Sequence, residues 1–570
     1  MTLKKNALTR WLPSAMLGFV SALCFNLPSK AADNIFLTYG PVKLTVRVDS
    51  LQRFAEEGIV DANLRFYFNL ARATPEQLQE LRRILTTRAE LDPLVVSRFL
   101  NTDIGEDILR RSGRILGIPW QINGQYALRG AIVSAGLDAQ GLTLINFLRK
   151  LPTNGHVSGE ILLQQGRIVE MVVRASEYGI QVMAQLSAEE AKQGPPVNFT
   201  TLPDPRQPGA YGPAIQQRWQ LTDASRNRSF YVDVYKPQRW RNGKTPVIVF
   251  SHGLASRPED FDLIAKHLAS YGFVVAMPQH PGSDFLQAQA LIEGTSREIF
   301  QLNEFIDRPK DLSYVIDELE RRNAGEFQGR LNLTQVGVGG HSFGGYAALA
   351  VAGATIDWDF LKAECDLETS LPNTSLLLQC QALRLPQKDY AFKDPRVTAV
   401  AVGNPVNSAI FGIKGLRQVQ APVMIIGGTY DPATPFVFEQ IRSFPRLGST
   451  EKYLLLAEGQ AHVDFSRLDP GAKEFLNSFT NLTLPPPDLL HAYTRAYATP
   501  FFEVYTAGNK TYRPFLQAGA AYSEYLSQDQ QFKVFFISQK SEAGLLTAIQ
   551  GFRERWSLPE VSGDNALLTQ

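Results

Sequence analysis

Short apolar runs interleaved with helical patterns dominate the chain beyond residue 213. Residues 219–235 alternate on both sides of a polar turn at 224–228, which predicts two strands. Short, largely apolar runs follow at 247–250, 274–277, 336–338, 397–402 and 423–426, and a strand-like run lies at 453–456. Runs of this length, separated by helical segments, predict a mainly parallel sheet covered by helices on both faces, an α/β fold. In such a sheet, reacting groups gather beyond the carboxyl ends of the strands.

The first third of the chain reads differently. Residues 35–48 alternate around Tyr39-Gly40-Pro41 and predict a β-hairpin. Thr74-Pro75-Glu76-Gln77 is a capping box with proline in the first turn, and Leu78, Leu81, Ile84 and Leu85 mark one face of the helix it opens. Asp92-Pro93 opens a second helix with Val95, Val96, Phe99 and Leu100 on its apolar face, and 108–116 is a third amphipathic stretch. These patterns predict a mostly helical N-terminal domain over 32–192, a Pro/Gly-rich linker over 193–213, and an α/β domain over 214–570 with a helical C-terminal extension. Phe501, Phe502, Tyr505, Tyr512 and Phe515 in that extension either face lipid or, as their helical spacing favours, pack as core.

Ahead of both domains, Lys4, Lys5 and Arg10 precede an apolar run over 11–25, with small residues at Ser29 and Ala31. This is the layout of a signal peptide over 1–31, and it predicts export to the periplasm or beyond. The alternative, an uncleaved anchor, has a rather short apolar run for a bilayer span. Removal after Ala31 leaves two cysteines, Cys365 and Cys380. They form either a disulfide, stabilising by roughly 3 kcal/mol in the chain-entropy model, or two buried thiols.

Composition narrows the function by exclusion. The 570 residues carry 57 basic and 56 acidic side chains, a formal net charge of +1. That balance gives no electrostatic reason to expect nucleic acid as a partner. No HExxH or CxxC motif appears, so neither a metal nor another cofactor is expected. Nothing in the pattern indicates an oligomeric state.

Four turns at predicted strand ends carry the chemistry. Gly340-His341-Ser342-Phe343-Gly344 is a G-x-S-x-G elbow between a strand and a helix, which lifts the serine hydroxyl above the sheet and aims the N–H of Phe343 at a developing oxyanion. Ser251-His252-Gly253-Leu254 follows the strand at 247–250, where the N–H of Leu254 supplies a second oxyanion donor. Asp431 sits in Gly427-Gly428-Thr429-Tyr430-Asp431-Pro432 after the strand at 423–426, placed to orient a histidine. His462 follows the strand at 453–456, placed as the base. Alone, each turn has an ordinary structural explanation. Together they have the chain order serine, acid, histidine that distinguishes α/β-hydrolases from other serine-hydrolase folds. Asp464 is a weaker acid candidate, and an amide at Asn404, after the strand at 397–402, points back to Asp431. His252 and His341 read as supports, and His156, His267, His280 and His491 as structural. Segments 284–307 and 356–394 are placed to form a lid.

Over about 245–475 these motifs, with Arg308-Pro309-x-Asp311 leading into a helix, resemble the plasma and type-II platelet-activating-factor acetylhydrolases and the dienelactone-hydrolase-like esterases. Residues 33–186, through Tyr39-Gly40-Pro41 and Val48-Asp49-Ser50-Leu51, resemble a domain of unknown function found ahead of such hydrolases in bacterial exported proteins. The resemblance implies hydrolysis of a carboxylic ester, of a phospholipid or short-acyl kind; the expected partner is that ester, with transient contact to a lipid surface as a separate expectation. One departure stands out: the acetylhydrolases carry their acid after the strand that here leads to Asn404. A peptidase or thioesterase of the same fold, or a non-catalytic scaffold with an envelope-binding N-terminal domain, are the competing readings.

Overall fold

The computed structural model describes residues 31–119, 122–366, 373–462, 484–523 and 532–556. The segment expected to be a signal peptide, apart from Ala31, and Asp464 lie outside the described residues. The described residues divide into two compact units, one of those up to Ser97 plus Leu109–Leu163, the other of Arg98–Ile108 plus the described residues from Gln164 onward.

In the first unit, β1 (Asn34–Tyr39) and β2 (Val42–Arg47) form the antiparallel hairpin. Two short strands, β3 (Leu116–Gly117) and β4 (Gly155–Ser158), complete a sheet of order β2-β1-β4-β3. Helices Val48–Glu57, Ala62–Leu70 and Pro75–Thr86 pack around Phe54, Ala55, Leu64, Leu85 and Ile145. The Thr74 capping box is present, with both Thr74 and Gln77 side chains engaged.

The second unit is built on a nine-stranded sheet: β5 (Ala214–Asp223), β6 (Arg228–Pro237), β7 (Thr245–Ser251), β8 (Val274–Pro278), β9 (Leu331–His341), β10 (Val397–Gly403), β11 (Val423–Gly428), β12 (Lys452–Ala457) and β13 (Val534–Ser538). The order is β13-β12-β11-β10-β9-β7-β8-β6-β5. The strands from β12 to β8 run parallel, while β13, β6 and β5 are antiparallel to their neighbours. The period of two along each strand sends alternate residues to opposite faces. Val247, Val249, Val274, Ala276, Leu454 and Leu456 enter one core, with helices Glu304–Glu326 and Phe343–Val351. Ile248, Val275, Met277, Tyr453 and Leu455 enter the other, with helices Asp262–Ser270 and Pro487–Tyr505. The C-terminal aromatics belong to this second core: Phe501, Phe502, Tyr512 and Phe515 are buried and Tyr505 packs against them.

The boundary between the units differs from the one expected at 193–213. Helix Gly159–Gln193 passes from the first unit into the second near residue 163. The Pro/Gly-rich stretch then packs within the second unit: Phe199 lies against Phe515, Pro205 O accepts from His267 Nε2 at 2.8 Å, and Tyr211 N donates to Ser270 O at 2.9 Å. Proline and glycine mark irregular backbone here, anchored by its own buried contacts. Cys365 and Cys380 are joined by a disulfide.

Candidate active site

β9 ends at His341, and the next residue, Ser342, turns the chain into helix Phe343–Val351 with φ 55° and ψ −120°. A side chain in this left-handed region carries strain, which the packing must hold in place. The glycines around it are required by contact. A Cβ at Gly340 would lie 2.2 Å from Gly344 O, and one at Gly344 would lie 2.0 Å from Ser251 O. Ser342 N donates to Gly403 O at 3.0 Å, and Ser342 O accepts from Val406 N at 3.2 Å, so the loop after β10 fixes the turn from the side.

Ser342 Oγ is 2.9 Å from His462 Nε2, and His462 Nδ1 is 2.7 Å from Asp431 Oδ2. The three side chains come from turns after β9, β12 and β11, which are brought together at one rim of the sheet. The Asp431 side chain is fully buried, and His462 keeps a small exposed edge. Asp431 Oδ1 accepts from Ala433 N and Thr434 N, both at 2.8 Å, and Oδ2 also accepts from Thr434 Oγ1 at 2.7 Å. A carboxylate so held is a fixed acceptor for the imidazole N–H, which leaves Nε2 free to accept from the serine. The two turns are also tied to each other, since Tyr430 N donates to Gln460 O at 3.0 Å and Gly459 N to Thr429 Oγ1 at 2.8 Å.

The backbone N–H groups of Leu254 and Phe343 have no acceptor among the described residues. Leu254 follows the end of β7, and Gly253 lets that loop pass the elbow: a Cβ there would lie 3.3 Å from Ser342 Cβ. The arrangement offers an activated hydroxyl, an oriented base and two unsatisfied backbone donors, the parts required for acyl transfer.

The neighbouring histidines are held neutral by burial. His341, pushed down to about 3 by burial and by the nearby His462, donates from Nε2 to His462 O at 2.8 Å and so braces the His462 backbone. His252 lies well below its ordinary value through burial and the Arg308 charge. It donates from Nδ1 to Gly253 O at 2.8 Å and accepts from His280 N at 3.2 Å. His280, also held well below by burial, accepts from Ser251 Oγ at 2.9 Å and donates to Asp311 Oδ2 at 2.9 Å. Ser251, His280 and Asp311 are closed to solvent.

Asn404 Oδ1 accepts from Gly428 N at 3.1 Å, bridging the ends of β10 and β11. Segment 284–307 contains helix Phe285–Glu293, capped by Asp284, and segment 356–394 contains helices Trp358–Glu364 and Leu376–Gln379. The parts played by two residues are not legible in the sequence. Thr434 braces the acid from three positions downstream, where a capping threonine gives no distinct signal. Arg308, in the Arg-Pro-x-Asp motif, is fully buried and reaches back to the loop after β7 over 55 and 56 positions.

Two segments of the chain match known families. Residues 31–156 match the family described as alpha/beta hydrolase of unknown function (DUF1400), and residues 222–364 match the chlorophyllase family. The second match takes in the loop after β7 and the Ser342 elbow and ends before Asp431 and His462. No curated protein matches the chain. Neither match singles out the platelet-activating-factor acetylhydrolases, so that narrower likeness is not what the families carry. With its largely parallel sheet flanked by helices and these two matched segments, the chain has the α/β-hydrolase fold, and one of the two families it resembles, the chlorophyllases, is of ester-hydrolase kind.

Proposed function

We propose that this protein is an exported serine esterase that cleaves carboxylic esters, of phospholipid or short-acyl kind, through an acyl-enzyme. The observation that carries the reading is the continuous contact Ser342 Oγ to His462 Nε2 to Asp431 Oδ2, at 2.9 and 2.7 Å. His462 takes the Ser342 proton as the oxygen attacks the ester carbonyl, and Asp431 stabilises the imidazolium that forms. The N–H groups of Leu254 and Phe343 hold the oxyanion. Collapse of the tetrahedral intermediate breaks the ester C–O bond, and His462 returns the proton to the leaving alcohol. Water, deprotonated by His462, then attacks the acyl-Ser342 ester and releases the acid. The chlorophyllase-family match supports ester chemistry, and the basic-then-apolar segment at 4–31 supports export.

The test is hydrolysis of a panel of p-nitrophenyl esters, phospholipids, thioesters and peptides by the protein and by Ser342→Ala. Ester cleavage is expected to be lost by a factor on the order of 10⁴ or more in the variant, with an unchanged melting temperature. Retained ester cleavage in Ser342→Ala would remove Ser342 from its role, and cleavage of thioesters or peptides in preference to esters would transfer the reading to those classes.

A further inference from the structure

Arg308 on helix Glu304–Glu326 is an arginine with no exposed surface, directly behind the loop that follows β7. Its Nη1 donates to His252 O at 2.5 Å, its Nη2 to Gly253 O at 3.2 Å, and its Nε to Ser283 Oγ at 2.8 Å. The guanidinium lies 4.6 Å from the centroid of the Phe343 ring. Its charge is answered by Glu304, whose Oε2 is 3.7 Å from Nε and accepts from Ser283 Oγ at 2.6 Å.

The consequence follows from peptide geometry. In a trans peptide the C=O and the next N–H point in opposite directions from one rigid plane. Gly253 O is held from behind by both Arg308 Nη2 and His252 Nδ1, which turns the Leu254 N–H of the same plane away from Arg308. His252 O, held by Nη1, fixes the preceding plane in the same way. The second N–H belongs to Phe343, whose ring the same guanidinium covers. We propose that Arg308 is a positioning residue that sets both oxyanion donors, Leu254 through two carbonyls and Phe343 through its ring. This rests on the acyl-transfer reading above. It is a role for a planar fork: a lysine supplies a charge at one point, and cannot serve two carbonyls while stacking on a ring.

The experiment compares Arg308→Lys and Arg308→Gln with the parent on a p-nitrophenyl ester. Active sites are counted by end-point fluorophosphonate labelling, so that kcat refers to folded, reactive enzyme only. Per active site, kcat is expected to fall about 10²- to 10³-fold, the usual effect of a lost oxyanion donor, with KM within about threefold because the ground state makes little use of those donors. Affinity for a trifluoromethyl ketone, whose serine adduct carries an oxyanion, is expected to weaken by a similar factor, while affinity for the carboxylic acid product stays level. If neither variant folds, Ser283→Ala, which removes the acceptor on Nε, carries the test with an expected loss of about three- to tenfold in kcat. Per-site kcat and ketone affinity equal to the parent's, with only the melting temperature lowered, would leave Arg308 a purely structural residue and overturn the proposal. That outcome is distinct from failure of the acyl-transfer reading, which would appear as activity retained in Ser342→Ala.

Discussion

The Asp431 carboxylate is buried, yet what satisfies it is a set of donors: two backbone N–H groups at Oδ1, and the Thr434 hydroxyl and the His462 ring at Oδ2. Each of these positions calls for an acceptor. Asparagine has nearly the same shape, but its NH₂ must face one pair of donors or the other. Facing Oδ1's partners it meets two backbone N–H groups, and facing Oδ2's partners it favours the His462 tautomer with the proton on Nε2, which cannot accept from Ser342. Asp431→Asn is therefore expected to lower kcat on the order of 10³- to 10⁴-fold with little change in KM. Steady-state kinetics on one ester checks it, and a loss under tenfold would show that the histidine is oriented by something else. Thr434→Val removes one donor of four and is expected to cost about tenfold.

The turn between β9 and helix Phe343–Val351 depends on backbone passing backbone. A methyl at Gly344 would sit 2.0 Å from Ser251 O and 2.6 Å from His252 O, neither of which is the far end of a flexible side chain. Gly344→Ala is expected to destabilise by about 3 kcal/mol or more. Gly325, in helix Glu304–Glu326, faces open space, and Gly325→Ala is expected to stabilise by about 0.5 kcal/mol through helix propensity. Paired denaturation curves check the contrast, and equal midpoints would refute it. The same local character explains what the sequence makes visible. The Ser342 elbow is legible because close approach demands glycine at fixed offsets. Asp431 and His462 are legible as turns directly after apolar runs. The β3 and β4 strands are not, having only two and four residues, too few to show alternation. β13 is a short apolar run that pairs antiparallel with β12 across nearly eighty positions of chain, and its partner cannot be read locally. The contacts of Arg308 with His252 and Gly253 are invisible for the same reason: nothing near Arg308 in the sequence records them.

The stability of the whole molecule in acid follows from how its histidines are buried. His267, on helix Asp262–Ser270, is pushed down to about 4 from 6.5, chiefly by burial, while its Nε2 donates to Pro205 O. The neutral ring thus ties the Pro/Gly-rich stretch to the second core, and the fold resists charging it. In the unfolded chain the ring takes its proton near 6.5, so below that pH the unfolded state binds more protons than the folded one, and stability falls as pH falls. The contribution is whole above about pH 6.5 and is lost progressively down to about 4, where the folded ring also protonates. With those two values the loss between pH 7.5 and 5 is on the order of 2 kcal/mol. The share that belongs to His267 is read as a difference between variants. His267→Gln keeps an amide donor for Pro205 O and cannot charge. It is expected to be less stable than the parent at pH 7.5 and to lose the smaller amount on going to pH 5, so that the gap between the two urea midpoints closes or reverses. A gap that stays constant from pH 7.5 to 5 would mean that the folded ring accepts its proton as readily as the unfolded one, and that the Pro205 contact does not hold His267 in its neutral form.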